Sequence, residues 1–254
     1  MKNEDKGINL QSKYKESMDF KLEVCCADLP SLRAAIAGGA HRVELCQALD
    51  VDGLTPSAGM IELAVNSGIT THVLIRPRGG NFVYSEDEVD CMIYDIGMAR
   101  KLGAQGVVIG ALTPNGDIDI QACHRMVEAA GDRMHITFHR AFDVCKNPKE
   151  SLLEIYSLGC DRLLTSGLAP KAEEGIGLLR ELVAETKTFE PREGCGVRGS
   201  DFRIMPGAGV TPQNAARIII ETGATEIHGS LRKNGHTDAV MVHETISRVL
   251  SAVG

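Results

Sequence analysis

A short phrase recurs four times along the chain, and it constrains the fold more than any other feature of the sequence. Its copies are Gly-Ala-His-Arg-Val at 39–43, Gly-Ala-Gln-Gly-Val at 103–107, Gly-Cys-Asp-Arg-Leu at 159–163 and Gly-Ala-Thr-Glu-Ile at 223–227. Each copy follows a helix-like stretch and leads into a strand-like one. The glycine is therefore predicted to end a helix in the left-handed conformation. Helices that alternate with strands in this way indicate βα units, right-handed crossovers and a parallel sheet.

The number of these units distinguishes an open sheet from a closed barrel. Eight candidate strands lie near residues 20–26, 41–47, 71–76, 106–111, 134–139, 161–166, 203–206 and 225–229. Because a helix candidate follows each of them, we predict an α/β fold, a (β/α)8 TIM barrel with a closed parallel eight-stranded sheet and outer helices. Residues 19–254 are expected to form this single domain. Residues 1–18 are expected to be a mobile polar tail, and 186–201 a long loop on the N-terminal face.

Three of the predicted helices begin at recognisable signals. Ser85 and Glu88 have the spacing of a capping box before the third helix. Asn147 followed by Pro148 is predicted to open the fifth helix, and Thr211 followed by Pro212 the seventh, since proline is favoured in the first helical turn.

Composition and charge exclude several classes of protein. The net charge of −7 argues against nucleic acid as the main partner. The first eighteen residues are polar and lack an apolar core, and no segment resembles a membrane span, so neither a secretory signal nor a membrane partner is expected. The eight cysteines form no CxxC pair of the zinc-ribbon type, which favours a reducing cytosol over a disulfide scaffold.

Two neighbouring strands place charged residues and cysteines on one face. Residues 21–25 read Lys-Leu-Glu-Val-Cys and residues 42–46 read Arg-Val-Glu-Leu-Cys, so polar and aliphatic side chains alternate. Burying such a face would cost several kcal/mol for each unpaired charge. We therefore expect Glu23 and Glu44 to point into the barrel and to pair there with Arg42 or Arg76.

Seven longer motifs resemble the CutC family of copper homeostasis proteins. They are Glu-Val-Cys at 23–25, Arg-Val-Glu-Leu-Cys at 42–46, Gly-Leu-Thr-Pro-Ser at 53–57, Ile-Arg-Pro-Arg-Gly-Gly-Asn-Phe-Val-Tyr-Ser at 75–85, Thr-Phe-His-Arg-Ala-Phe-Asp at 137–143, Leu-Thr-Ser-Gly at 164–167 and Met-Pro-Gly-Ala-Gly-Val at 205–210. The resemblance implies a TIM-type barrel, a cytoplasmic homo-oligomer, dimer or tetramer, and a Cu(I) site at Cys25 and Cys46. The chain departs from the family pattern after the eighth strand, where its loop is shorter.

The residues themselves support a copper site and also allow a simpler explanation. Cys25 and Cys46 occupy equivalent positions on neighbouring strands, which lie about 4.8 Å apart, so their sulfurs are expected to meet at the barrel mouth. Soft thiolates select Cu(I). The alternative is that both cysteines fill the top layer of the barrel as small hydrophobic residues.

A second hypothesis is an enzyme that acts on a small anionic or phosphorylated substrate. Carboxylates and an imidazole suited to acid and base chemistry are predicted at the strand ends. These candidate catalytic residues are Glu23, Glu44, His139 and Asp143. Arginines and a glycine-rich turn after strand seven are predicted to bind an anion. The members of this set are Arg76, Arg78, Arg140, Gly207 and Gly209. The simpler alternatives are a tight turn, a core histidine and a salt-bridged arginine loop.

Overall fold

The predicted barrel is confirmed. A computed structural model describes residues 20–190 and 202–254 and places eight parallel strands in one sheet, in the order β7-β6-β5-β4-β3-β2-β1-β8. The strands are Lys21–Cys26 (β1), Arg42–Leu45 (β2), Thr70–Leu74 (β3), Gly106–Ile109 (β4), His135–Phe138 (β5), Arg162–Thr165 (β6), Arg203–Pro206 (β7) and Glu226–Gly229 (β8). The expected tail, 1–18, and most of the expected loop, 186–201, lie outside the described residues.

Helices follow the strands and surround the sheet. They are Leu29–Ala37 (α1), Ala58–Asn66 (α2), Glu86–Lys101 (α3), Ile120–Ala130 (α4), Pro148–Ser157 (α5), Ile176–Thr186 (α6), Ala215–Thr222 (α7) and Ala239–Val253 (α8). A small antiparallel hairpin, Arg232–Lys233 (β9) with His236–Thr237 (β10), occupies the short connection between β8 and α8. Within the described ranges, no helix has the length and apolar character needed to cross a membrane.

Most of the predicted helix boundaries are confirmed. The Ser85 and Glu88 capping box is complete at the start of α3, and Asn147 and Pro148 begin α5. The glycine of each recurrent phrase has a positive φ, between 74° at Gly223 and 95° at Gly159. Helix α7 begins at Ala215, which is later than the start predicted at Thr211 and Pro212. The Thr211 hydroxyl instead accepts the Asn214 N–H within the turn before it.

The two faces of the sheet differ in chemistry. The outer face packs aliphatic residues such as Leu22, Val24 and Leu45 against the helices, and Cys26 lies in the same layer. The inner face carries the polar alternation, with Glu23, Arg42 and Glu44 all buried. The outer layer therefore supplies most of the hydrophobic core, while the barrel interior holds charges.

Strands β1 and β2 are staggered by two residues relative to the expected pairing. Glu23 lies opposite Arg42, and Cys25 lies opposite Glu44. The expected equivalence of Cys25 with Cys46 is therefore wrong. Closing a barrel requires tilted strands with a fixed offset, which shifts similar sequence motifs along the axis relative to one another. Cys46 lies beyond the end of β2, where its N–H donates to the Cys26 carbonyl at 3.0 Å.

An ionic network fills the N-terminal part of the interior. Glu226 accepts from Arg42 at 2.6 Å, from Arg162 at 3.0 Å and from Arg203 at 3.1 Å. Burial alone would raise the pKa of Glu226, but Arg162 and Arg42 outweigh it and hold that pKa well below its usual range. The Arg203 contact also joins β7 to β8, the two ends of the strand order, so the carboxylate helps to close the barrel.

Glu226→Gln tests whether this network stabilises the fold. The substitution removes the carboxylate that the buried Arg162 contacts and one of the two that Arg42 contacts. Breaking a buried ion pair typically costs about 3–5 kcal/mol of unfolding free energy. Urea unfolding measures the loss. The control is Glu244→Gln, which removes one exposed pair with Arg248 and should cost less than about 1 kcal/mol. Equal effects of the two substitutions would contradict a special role for Glu226.

Candidate functional site

A cavity of about 430 Å³ opens at the C-terminal ends of the strands. This is the end of a TIM barrel where active sites form. Of the cysteines and glutamates predicted on the inner faces of the first two strands, Cys25 and Glu44 line the cavity, together with His228, whereas Glu23 and Cys46 lie below it. Its walls also include Arg76, His139, Arg140, Asp143 and Gly209.

The two cysteines meet beneath this cavity despite the stagger of their strands. Cys25 Sγ and Cys46 Sγ are 3.5 Å apart, and both residues are buried. They pack with Leu74 and Val108 in a small apolar cluster inside the barrel. The hydrogen bond to Cys46, followed by burial and the nearby Glu44, raises the pKa of the Cys25 thiol well above its ordinary value.

His228 links the two buried glutamates. Its Nδ1 lies 2.8 Å from Glu23 Oε1, and its Nε2 lies 3.3 Å from Glu44 Oε2. Burial alone would lower the pKa of His228, but Glu44, Cys25 and Glu23 outweigh it and raise that pKa well above the usual value. His228 is not among the site residues that the sequence motifs predict. The Glu-x-His alternation at 226–228 is the signal that could have identified it.

The two glutamates differ in their partners and in the direction of their pKa shifts. Arg42 Nε contacts Glu23 Oε2 at 2.5 Å. Burial alone would raise the pKa of Glu23, but Arg42 and His228 outweigh it and hold that pKa well below its ordinary value. Glu44 pairs with His228, so the expected arginine partner is wrong for this residue. Burial, assisted by the Glu23 charge and opposed by His228, raises the pKa of Glu44.

Arg76 supports the cavity wall and does not pair with either glutamate. Its guanidinium donates to the carbonyls of Val51, Gly53 and Gly80, and it lies over the Phe82 ring. These contacts join the loop after β2 to the loop after β3. Arg76 Nε is buried and has no hydrogen-bond partner among the described residues.

Arg78 lies outside the cavity lining, and its place in the expected anion pocket is therefore corrected. Its Nε contacts Glu88 Oε1 at 2.5 Å, and its Nη2 donates to the Val83 carbonyl at 2.6 Å. The guanidinium also lies over the Tyr84 ring. Glu88 thus caps α3 and holds Arg78, which gives this arginine the structural role of a salt-bridged loop.

Asp143 anchors the loop that follows β6. Its carboxylate accepts from Arg140 Nε at 2.7 Å, from the Ser166 N–H and hydroxyl, from Thr165 and from the Leu168 N–H. These donors occupy both oxygens of the carboxylate. The geometry therefore suits Asp143 to positioning Arg140, which lines the cavity and also reaches Ser166.

His139 presents a neutral ring to the cavity wall. Its Nδ1 accepts the Ala141 N–H at 3.2 Å, so a neutral ring carries its proton on Nε2. Burial, with a further contribution from Arg76, lowers the pKa of His139 to about 3. Nε2 is buried and has no partner within residues 20–190 and 202–254. His139 therefore holds a buried donor without a partner among those residues.

The glycine-rich turn after β7 packs closely against the site. A Cβ at Gly207 would lie 2.5 Å from Leu164 Cδ1 and 3.3 Å from His228 Cβ, so a side chain would displace the site residues. Gly209 has a φ of +66° and lines the cavity. Because α7 begins only at Ala215, the turn is separated from the helix N-terminus that was expected to accompany it.

Backbone strain is concentrated around the same opening. The non-glycine residues with positive φ in the described chain all lie in loops that follow strands β2, β6, β7 and β8. They are Ala48, Asp52, Leu168, Ala208, Leu231 and Asn234. Such conformations cost of order 1 kcal/mol or more each and cluster at functional sites. The mouth of the barrel is therefore shaped at some expense of stability.

The state of His139 makes a prediction about pH. The unfolded chain takes up a proton near pH 6.5, whereas the folded ring takes it up only near a pKa of about 3. This histidine therefore lowers stability as pH falls below 6.5, by about 1.4 kcal/mol per pH unit between those limits. Urea unfolding between pH 6 and pH 4 should show a stability slope that is shallower in His139→Gln than in the wild type by about this amount. Identical slopes would contradict a neutral His139.

Comparison with known proteins identifies clear relatives. Residues 20–233 match the CutC family. The family protein CutC of Pasteurella multocida is 44% identical over 210 residues, which cover 82% of this chain and 81% of that protein. The structure of CutC from Streptococcus agalactiae, provisionally described as a copper homeostasis protein, has a TM-score of 0.74 and 35% identity, covering 83% of this chain and 98% of that one. Thiamine phosphate pyrophosphorylase from Pyrococcus furiosus shares the fold alone, with a TM-score of 0.59 and 18% identity over 94% of this chain and 99% of that one.

Proposed function

Since the chain belongs to the CutC family, we propose that it serves copper homeostasis by binding Cu(I) through the thiolates of Cys25 and Cys46. The observation that carries the proposal is the 3.5 Å separation of the two buried sulfurs. Thiolates are soft ligands, and such ligands select Cu(I). The position beneath an open cavity gives an ion a route to the pair.

The geometry of the sulfur pair fits one ion. A metal–thiolate distance is about 2.3 Å in zinc sites, and two such distances exceed the separation of the sulfurs. An ion in contact with both sulfurs would therefore lie off the line between them, which leaves space for a third ligand. His228 lies close enough to Cys25 to influence its pKa, so it is the side chain best placed for that role.

The cellular compartment that we propose follows from the reduced thiols of Cys25 and Cys46. Cys25 and Cys46 are both free thiols. Keeping Cys25 and Cys46 reduced requires a reducing compartment, for which we propose the cytoplasm. The expected homo-oligomer remains a prediction.

Titration with Cu(I) against a competing chelator tests the copper proposal. The reduced full-length protein should bind about one tightly held ion per chain, because thiolates select this ion. Cys25→Ser and Cys46→Ser should each remove that site. Cys160→Ser, which replaces a buried cysteine outside the cavity lining, should leave it intact. If the double serine variant keeps wild-type affinity, Cys25 and Cys46 only pack the barrel.

A second candidate function is that of an enzyme for a small anionic substrate. The cavity of about 430 Å³ is larger than a single ion requires and lies within the usual range for small-molecule sites. Two buried donors in its lining, Arg76 Nε and His139 Nε2, lack partners among the described residues. Arg140 supplies a partly exposed guanidinium beside them. This combination favours a ligand with an anionic group.

Calorimetric titration with inorganic phosphate tests the anion site. Arg140→Gln should weaken phosphate binding by about tenfold or more, since a hydrogen bond to a charged group contributes about 1.5–3 kcal/mol. Arg125→Gln is the matched control, because Arg125 pairs with Glu86 and Asp90 on the outer helices. Absence of phosphate binding, or an equal loss in both variants, would contradict this function.

A further inference from the structure

We propose that Cys25, Glu44 and His228 form a site for a divalent ion of the zinc class, which differs in its ligands from the two-thiolate copper site. The three side chains are buried, and one potential ligand atom from each lies within 4.8 Å of the others. The site shares Cys25, and the neighbouring His228, with the proposed copper site but does not require Cys46. It therefore goes beyond copper binding and can exist whether or not the copper proposal holds.

The chemistry of the three ligands favours a divalent ion. A thiolate, an imidazole and a carboxylate are the side chains that bind Zn²⁺ in proteins. Glu44 would contribute a hard oxygen ligand, which suits divalent ions better than Cu(I). The two thiolates of Cys25 and Cys46 instead favour Cu(I). The two ligand sets therefore predict two different metal specificities at one cavity.

His228 is oriented as a metal ligand usually is. Its Nδ1 lies 2.8 Å from Glu23 Oε1, and Glu23 is held in turn by Arg42 at 2.5 Å. Histidines that bind metals commonly donate their second ring N–H to a carboxylate, which fixes the ring orientation. This contact leaves Nε2 for an ion, and Nε2 is the atom that faces Glu44 at 3.3 Å.

Glu44 also has the surroundings of a ligand. In residues 20–190 and 202–254, its ion-pair partner within 4.0 Å is His228, and no lysine or arginine lies within that distance. Its other close polar neighbour is the Cys25 thiol. A buried carboxylate is costly unless it is paired or binds a metal. Glu44 thus contacts the same two side chains that would share an ion with it.

The spacing requires little rearrangement. Tetrahedral zinc with bonds of about 2.0–2.3 Å separates its ligand atoms by about 3.3–3.8 Å. The three ligand atoms already lie within 4.8 Å of one another, so each separation would shorten by at most about 1.5 Å. Cys25, Glu44 and His228 all line the open cavity. Three protein ligands beside an open space are typical of catalytic zinc sites, in which water or a substrate takes the fourth position.

Metal titrations of matched variants separate this site from the copper site. The reduced full-length protein is titrated with Zn²⁺ and, separately, with Cu(I), each against a competing chelator. Glu44→Gln should weaken Zn²⁺ binding by more than tenfold and leave Cu(I) binding unchanged. Cys46→Ser should remove Cu(I) binding and keep Zn²⁺ binding, whereas Cys25→Ser should remove both. Glu23→Gln should weaken Zn²⁺ binding by about 10–100-fold through the orientation of His228.

The visible absorption spectrum of the Co²⁺-loaded wild-type protein tests the same three ligands directly. Co²⁺ in the wild-type protein should give the intense visible bands of tetrahedral coordination and a thiolate charge-transfer band. Cys91→Ser, which removes an exposed thiol on α3, should preserve that spectrum. A spectrum without the thiolate band, or wild-type Zn²⁺ affinity in Glu44→Gln, would overturn the proposal and leave an ion pair. If the wild-type protein binds Zn²⁺ as described but does not bind Cu(I), only the copper proposal is contradicted.

Discussion

The pairing of buried charges inside the barrel is the constraint on which the rest of the structure depends. Arg42 lies between Glu226 and Glu23, Glu23 contacts His228, and His228 faces Glu44. Each charged group is buried, where an unpaired charge would be strongly destabilising. The order of contacts therefore runs from the closed end of the barrel to its mouth. The orientation of His228 at the site is a consequence of ion pairs formed deeper in the interior.

The sequence was sufficient to predict the barrel because the relevant signals are local. The period-two alternation identifies the strands, and glycines such as Gly103 and Gly159 adopt a positive φ just after the helices that precede them. The register of β1 against β2 could not be obtained in this way. Barrel closure sets the offset for all strands together, so the similarity of residues 21–25 and 42–46 suggested the wrong alignment.

The site was predicted in part, for similar reasons. Cys25, Cys46 and Glu44 were identified because each follows the inward alternation of its own strand. Arg78 is predicted in an anion pocket because its sequence neighbours are small. The capping box identifies one role of Glu88, but nothing local shows that the same carboxylate also binds the Arg78 guanidinium. The role of His228 depends on contacts with residues far away in the chain. Only the folded barrel brings these side chains together.

Close packing explains why the side chains proposed to bind metal and a cavity coexist at this barrel mouth. Gly207 allows β7 to approach His228 closely, while Asp143 and Arg76 hold the surrounding loops through hydrogen bonds. The central claim is that this arrangement delivers two thiolates to one copper ion. X-ray absorption spectroscopy of the Cu(I)-loaded full-length protein tests it most directly. The account predicts two sulfur ligands that are lost in the Cys25→Ser, Cys46→Ser double variant, and a copper environment of nitrogen and oxygen alone would contradict it.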